Sequence, residues 1–199
     1  MKQSLFTMEH ARQLTADTYE LVLSGDTSAI TAPGQFVNIQ LPGKFLRRPI
    51  SICNWTKDAL LLLVRVVGEG THDLVRCVPG TELDVLSGLG NGFDLAKGGT
   101  HPILLGGGIG IAPLYGLAQR MLEAGIAPTV GLGFRSGGDA FYLEEFGKLG
   151  CRLMVATEDG SLGTKGFVTD LVRHVPECGY AFVCGPTPML RALKAYAKE

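Results

Sequence analysis

The sequence predicts two joined domains of different architecture: an antiparallel β domain, barrel or sandwich, followed by an α/β domain built on a parallel sheet. Three observations carry this reading. A length of 199 residues suffices for two small domains, each with a core of its own. The first half holds short runs rich in β-branched and apolar residues, separated by turn signals. After the glycine-rich "LAKGGTH", short apolar strands alternate with helical stretches, the grammar of a parallel sheet. The boundary falls between residues 1–97 and 98–199.

In order, the first-half strands are "TYELVLSG", "GQFVNIQL", "RPISI", "ALLLLVRVV" and "TELDVLS", with "SGDTSAITAPG", "LPGKF", "NWTKD" and "VPGT" as the turns between them. Only the piece after Gly70 reads as briefly helical. In the second half the strands fall near residues 102–106, 128–134, 152–157 and 180–185. Helices are predicted over 112–123, 140–148, 166–174 and 187–198, the last with Leu190, Leu193 and Tyr196 or Ala197 on one face. There is no internal repeat and no low-complexity tract.

Composition narrows the function. Eighteen lysines and arginines stand against 19 acids, scattered rather than blocked, so neither a nucleic acid nor a membrane surface is indicated as a partner. The opening "MKQSLFTMEHARQL" lacks the apolar core of a secretory signal. Residues 102–118 carry no charge, but five glycines and two prolines interrupt them, which suits a soluble turn better than a membrane span. A cytoplasmic protein is expected. Cys53, Cys77, Cys151, Cys178 and Cys184 form no CxxC pair, and His10, His72, His101 and His174 are dispersed, so no metal site and no Cys–His nucleophile is predicted. No side chain stands out as catalytic, and the chemistry is assigned to a bound cofactor.

The stretch "HPILLGGGIGIAPLYGLAQ" is a strand, a glycine turn and a helix with Pro113 in its first turn. Neither Gly-x-Gly-x-x-Gly/Ala nor a Walker loop is satisfied. The free N–H groups at the helix start favour an anion, while the glycines also permit close strand–helix packing. Two further stretches bear on this choice. "RRPISI" puts arginines and a serine on one strand, either a solvated edge or a phosphate contact. "VVGEGTHDL" supplies a second glycine loop, with Thr71 as N-cap of a short helix. An arginine and a helix start together suit a pyrophosphate, and Ser51 suits a ring nitrogen.

The order of "RRPISI", "VVGEGT", "LLGGGIGIAPL", "GFRS" and "CGPTPML" resembles the ferredoxin-reductase-like flavoproteins. With "ATEDGSLGTKGFVTD" added, the chain resembles more narrowly the electron-transfer subunits of bacterial dihydroorotate dehydrogenases. The resemblance implies an FAD-binding antiparallel barrel followed by a parallel-sheet NAD-binding domain. Carried over by position, it puts Arg48 on the FAD pyrophosphate and, with Pro49, leads to Ile50 against the isoalloxazine and Ser51 at its edge. Broader relatives carry a tyrosine where Ile50 stands, which favours the narrower assignment. Arg65, Val66 and Val67 would line the ribityl and adenosine part, and Gly70 with Thr71 would cap the phosphates. Gly107, Gly108 and Gly110 would admit the pyrophosphate and nicotinamide of NAD(H), beside Cys184, Gly185 and Pro186. Asp159 and Gly160, or Arg135, stand where NAD contacts or an ordinary turn and surface arginine are equally plain readings.

The resemblance further implies a hydride exchanged between NAD(H) and FAD, a [2Fe-2S] cluster in full-length relatives, and an FMN-containing dihydroorotate dehydrogenase catalytic subunit as partner in pyrimidine biosynthesis. The family's cluster is held by four cysteines beyond the "CGPTPML" helix, and the cysteines present here do not supply that set. Two alternatives stay open. One is a related NAD(P)H-dependent reductase for ferredoxin, polysulfide or free flavin, and the other a cofactor-free assembly module.

Overall fold

The computed structural model describes residues 1–175 and 179–197. Cys178 and Lys198, both used in the sequence reading, lie outside them. The chain divides into two compact units, Met1–Phe93 and Asp94–Glu199.

The first unit is a closed barrel rather than a sandwich, with strand order β1-β2-β5-β4-β3-β6. Its strands are β1 (Lys2–Gln13), β2 (Thr18–Gly25), β3 (Phe36–Gln40), β4 (Arg48–Trp55), β5 (Ala59–Arg65) and β6 (Glu82–Leu89), with one short helix, α1 (Glu69–Leu74), between β5 and β6. All the barrel pairings are antiparallel. Alternate residues point inward, and Phe6, Met8, Leu21, Leu23, Val37, Ile39, Ile52, Leu60, Leu62, Leu83 and Val85 fill the interior. Five strands match the sequence reading. The twelve-residue β1 does not, because only Phe6 and Met8 of it are buried and its polar remainder carries no alternation to read. It nevertheless closes the barrel, pairing β2 from Phe6 onward and β6 from Lys2 to Thr7. Strand β5 ends at Arg65, two residues short of the predicted run. There the Val66 N–H turns to the Asp17 carbonyl (2.8 Å) and the Val67 N–H to the Thr71 hydroxyl (2.9 Å).

The second unit is a five-stranded sheet in the order β10-β9-β8-β7-β11, parallel throughout. Its elements are β7 (Pro102–Gly107), α2 (Ala112–Glu123), β8 (Thr129–Phe134), α3 (Leu143–Lys148), β9 (Arg152–Thr157), β10 (Thr164–Lys165), α4 (Val168–Leu171), β11 (Tyr180–Cys184) and α5 (Thr187–Tyr196). On one face of the sheet, Ile103 and Leu105 of β7 pack with Val168 and Leu171 of α4 and Leu193 of α5. Strand β8 carries two glycines where neighbours come close: a Cβ at Gly131 would stand 2.8 Å from Leu105 Cδ2 of β7, and at Gly133 helix α4 fills the space. A Cβ at Gly133 would stand 2.7 Å from Val168 Cβ.

The helices depart from expectation where the backbone is used otherwise. The helix predicted over 140–148 begins only at Leu143, since Ala140 is extended and Tyr142 takes a left-handed φ of 64°. The one predicted over 166–174 is a single α turn, Val168–Leu171, tightening into a 3-10 turn, Val172–His174. Of the face predicted for the last helix only Leu193 is buried, while Leu190 and Tyr196 are exposed. Met189, one turn before Leu193, packs on the core instead. Among the described residues no helix is long and apolar enough to cross a membrane.

Candidate functional site

In the barrel unit, the two predicted motifs meet. Arg48 opens β4, and its guanidinium lies over Gly70, so closely that a Cβ there would fall 1.6 Å from Arg48 Nε. Gly68, the residue before α1, is fully extended and has no side chain to cap it. Thr71, three positions on, supplies its hydroxyl to the N–H groups of Val67 (2.9 Å) and Gly68 (3.3 Å). Thr71 is therefore not the N-cap that the sequence suggested. It closes the turn from inside the helix, and its hydroxyl in turn donates to the Gly68 carbonyl (3.0 Å). The first N–H groups of a helix have no partner within it. Those N–H groups and a guanidinium seated beside Gly70 are of a kind that together suit an anionic oxygen group.

The double arginine divides its work. Arg47 is held to Asp84 by a fork, Nη2 to Oδ2 at 2.7 Å and Nη1 to Oδ1 at 3.3 Å, and also reaches the backbone carbonyls of Asp84 and Asn38. That hydrogen bond keeps the Asp84 carboxyl below its usual range. Arg48 donates to the Leu46 carbonyl and has no carboxylate partner among the described residues, so its charge is available. Along β4, Pro49 and Ser51 are exposed, whereas Ile50 is only 9% exposed and packs with the barrel core. Arg48 and Ser51 thus fall on opposite sides of the strand's alternation. Arg65 is committed to Asp17, Nε to Oδ2 at 2.7 Å. Burial opposes ionisation of Asp17, but hydrogen bonds from Arg65 and Thr18 outweigh it and lower its pKa. Val66 packs on the core and Val67 is exposed.

In the α/β unit the other predicted residues converge at the carboxyl end of the sheet. Strand β7 is flanked by β8 on one side and by β11, the last strand in sequence, on the other. The chain reverses direction across the sheet at β7/β11, and open α/β sheets bind ligands in the crevice beyond such a point. Cys184 and Gly106 stand opposite each other there. The glycines have distinct roles. A Cβ at Gly110 would lie 2.3 Å from the Cys184 carbonyl oxygen, one at Gly107 2.6 Å from Met189 Sδ, and one at Gly185 2.6 Å from Met189 Cε. These three let the turn, β11 and α5 close upon one another. Gly108 differs. It has a left-handed φ of 52° with open space at its Cβ position, which leaves bare backbone for a ligand to approach. Pro186 is exposed ahead of the N-terminus of α5.

Met189 was not singled out from the sequence; its place four residues after Gly185 was the available signal. Asp84, which holds Arg47 next to Arg48, and Lys44, whose ammonium lies 3.0 Å from both Glu69 and Asp73 of α1, carried no functional signal in the sequence. Asp159 accepts from the Ser161 N–H (2.9 Å) and hydroxyl (2.7 Å) and is lowered in pKa by them, an ordinary acidic turn. Arg135 is exposed. Burial pushes the Cys184 thiol up, away from nucleophilic thiolate, and all four histidines are exposed. Among the described residues no three His, Cys, Asp or Glu side chains come together as a metal site.

Residues 104–195 match the family model described as the oxidoreductase NAD-binding domain. A relative from Shouchella clausii, described as dihydroorotate dehydrogenase B (NAD(+)), electron transfer subunit, is 42% identical over 100% of this chain and 80% of its own. The chain belongs to that electron transfer subunit family. A family member from Listeria monocytogenes is 40% identical over 100% of this chain and 81% of its own. Among solved structures, an NADH-dependent reduced ferredoxin-NADP oxidoreductase, studied for flavin-based electron bifurcation, is 30% identical. It superimposes with a TM-score of 0.88 over 98% of this chain and 73% of that one. The ferredoxin-reductase-like architecture expected of the family is the one observed.

Proposed function

We propose that the chain is the electron-transfer component of an NAD-dependent dihydroorotate dehydrogenase. In this role it exchanges a hydride between NAD(H), held by the α/β unit, and FAD, held by the barrel. An FMN-containing catalytic subunit stands at the other end of the electron path, in the cytoplasm and in pyrimidine biosynthesis. The observation that carries this reading is the match, over the whole of this chain and 80–81% of theirs, to relatives bearing that description. Electrons would run from dihydroorotate to NAD.

Bound FAD supplies the redox chemistry, accepting or donating a hydride and passing electrons onward. The chain's own residues bind and orient. Arg48, without a carboxylate partner among the described residues and seated on Gly70, would neutralise a pyrophosphate with charge-assisted hydrogen bonds, and the first N–H groups of α1 would add to it. The exposed Ser51 hydroxyl offers a hydrogen bond at the flavin edge. Gly108 offers bare backbone at the β7/β11 crevice to the nicotinamide cofactor. No side chain is asked to move a proton, in keeping with thiols held protonated by burial.

A second reading, a reductase serving another acceptor, is favoured by the 30% identity to the ferredoxin-NADP oxidoreductase. An anaerobic absorbance spectrum of the reconstituted chain, before and after NADH, tests the first step. A bleached FAD spectrum is the expected result, and a chain that cannot be loaded with FAD overturns it. Reoxidation by the dihydroorotate dehydrogenase catalytic subunit plus orotate, but not by ferredoxin or polysulfide, separates the two readings.

A further inference from the structure

We propose that Phe45 is an aromatic platform for the adenine ring of the flavin dinucleotide, presented by a loop that Lys44 latches to helix α1. The inference rests on the reading of the barrel as an FAD site and assigns a residue that none of the recognised motifs contains. Phe45 is 97% exposed, the most exposed of the large apolar side chains among the described residues, and Leu46 beside it is 66% exposed. An isolated exposed apolar residue needs no explanation, but this one sits on a segment braced at both ends. Lys44 Nζ lies 3.0 Å from both Glu69 Oε2 and Asp73 Oδ2 of α1, contacts that raise the Lys44 pKa. The Lys44 N–H donates to the Leu41 carbonyl (3.2 Å), and the Gln40 side-chain amide donates to the Leu41 and Lys44 carbonyls. Arg47 fixes the far end to Asp84 and Asn38.

The brace ends at the start of α1. Glu69 precedes Gly70, the glycine beneath Arg48, so Lys44 ties the loop to the helix start that would hold the pyrophosphate. The linear order then matches the ligand. From Arg48 the strand runs toward Ser51, about 10 Å away at roughly 3.3 Å per residue, which accommodates the isoalloxazine half. In the other direction along the chain, three residues before Arg48 and on the loop tied to α1, stands Phe45, and the part of the dinucleotide beyond the pyrophosphate ends in a purine. A solvent-facing phenyl ring on a braced loop suits an aromatic base, and such stacking changes affinity by roughly tenfold or more on truncation to alanine.

The test uses the full chain, stripped of flavin, and compares dissociation constants for FAD and for FMN, which lacks the adenosine. Phe45→Ala should weaken FAD by roughly tenfold or more and leave FMN unchanged, Phe45→Trp should retain FAD, and Lys44→Ala should cost FAD a smaller factor with FMN again untouched. A Phe45→Ala loss shared equally by FAD and FMN, or no loss for either, overturns the proposal. So does an unchanged FAD constant with weakened binding of the catalytic subunit, which would make Phe45 a docking residue. A wild-type chain that binds neither flavin overturns the FAD reading itself, and this inference with it.

Discussion

The barrel and the α/β unit both carry glycine turns where the sequence suggested a phosphate, yet the glycines make room for different things. At Gly70 the space is taken by the end of a flexible, charged side chain, the Arg48 guanidinium. At Gly110 it is taken by main chain, the Cys184 carbonyl and the Gly185 nitrogen. The first neighbour is the end of a side chain that can shift without disturbing the barrel, as the proposed pyrophosphate contact requires. The second is a structural joint between β7 and β11, while Gly108 beside it keeps open space at its Cβ position. One sequence signal therefore serves two physical purposes, and only the neighbour in space tells them apart.

The largest effect should come from breaking the joint. Gly110→Ala sets a methyl group against backbone that cannot move independently. The α/β unit should lose about 3 kcal/mol and its NADH binding, read as an earlier urea transition and a failed NADH titration. A wild-type-like transition would show that the turn yields and would erase the contrast with Gly70. Next, Arg48→Ala removes a charge-assisted contact worth about 1.5–3 kcal/mol, so FAD affinity should fall roughly 10- to 100-fold while the unfolding midpoint stays in place. Gly70→Ala sharpens the comparison further. It should displace Arg48 and cost FAD on the order of tenfold, with less than about 1 kcal/mol of stability lost, since a flexible side chain can swing away. The smallest effect is electrostatic. Asp84, its pKa lowered by Arg47 below 3.8, binds fewer protons folded than unfolded. Its contribution is complete above that value and fades as pH falls through the folded pKa. Asp84→Asn should flatten the acid limb of stability by under about 1 kcal/mol, because the pair is partly exposed.

Four strands of the parallel sheet were legible because they are continuous apolar runs set off by glycine and proline punctuation, whereas the edge strand β10, two exposed polar residues, Thr164 and Lys165, offers no such signal. The 112–123 helix matches to the residue. Strand β1 escaped for the opposite reason. Its residues from Glu9 onward are exposed, so nothing in "EHARQ" distinguishes a strand from a polar tail. The helix predicted from Ala140 came late because Tyr142 adopts a conformation that periodicity cannot report. For the site, residue types were readable but pairings were not. Arg47 and Arg48 are identical letters, and their division of labour depends on Asp84, 37 positions from Arg47. The resemblance places Arg65 along the ligand, and its pairing with Asp17, 48 positions away, is likewise invisible in the sequence. Such partners are set by strand register, which emerges only when the barrel closes.

Closure carries a consequence for how the molecule is made. Residues 6–13 of β1 can zip to β2 as soon as a hairpin's length of chain exists, but Lys2 to Thr7 pair with Ser87 to Glu82. At a synthesis rate of about 5–20 residues per second, the start of the chain waits on the order of 5–15 s for its partner to be translated. Through that interval the nascent barrel is an open sheet with β1 as one unpaired edge. Non-local closure of this kind is slow to form, and the growing chain is most exposed to mispairing just before residue 82 emerges.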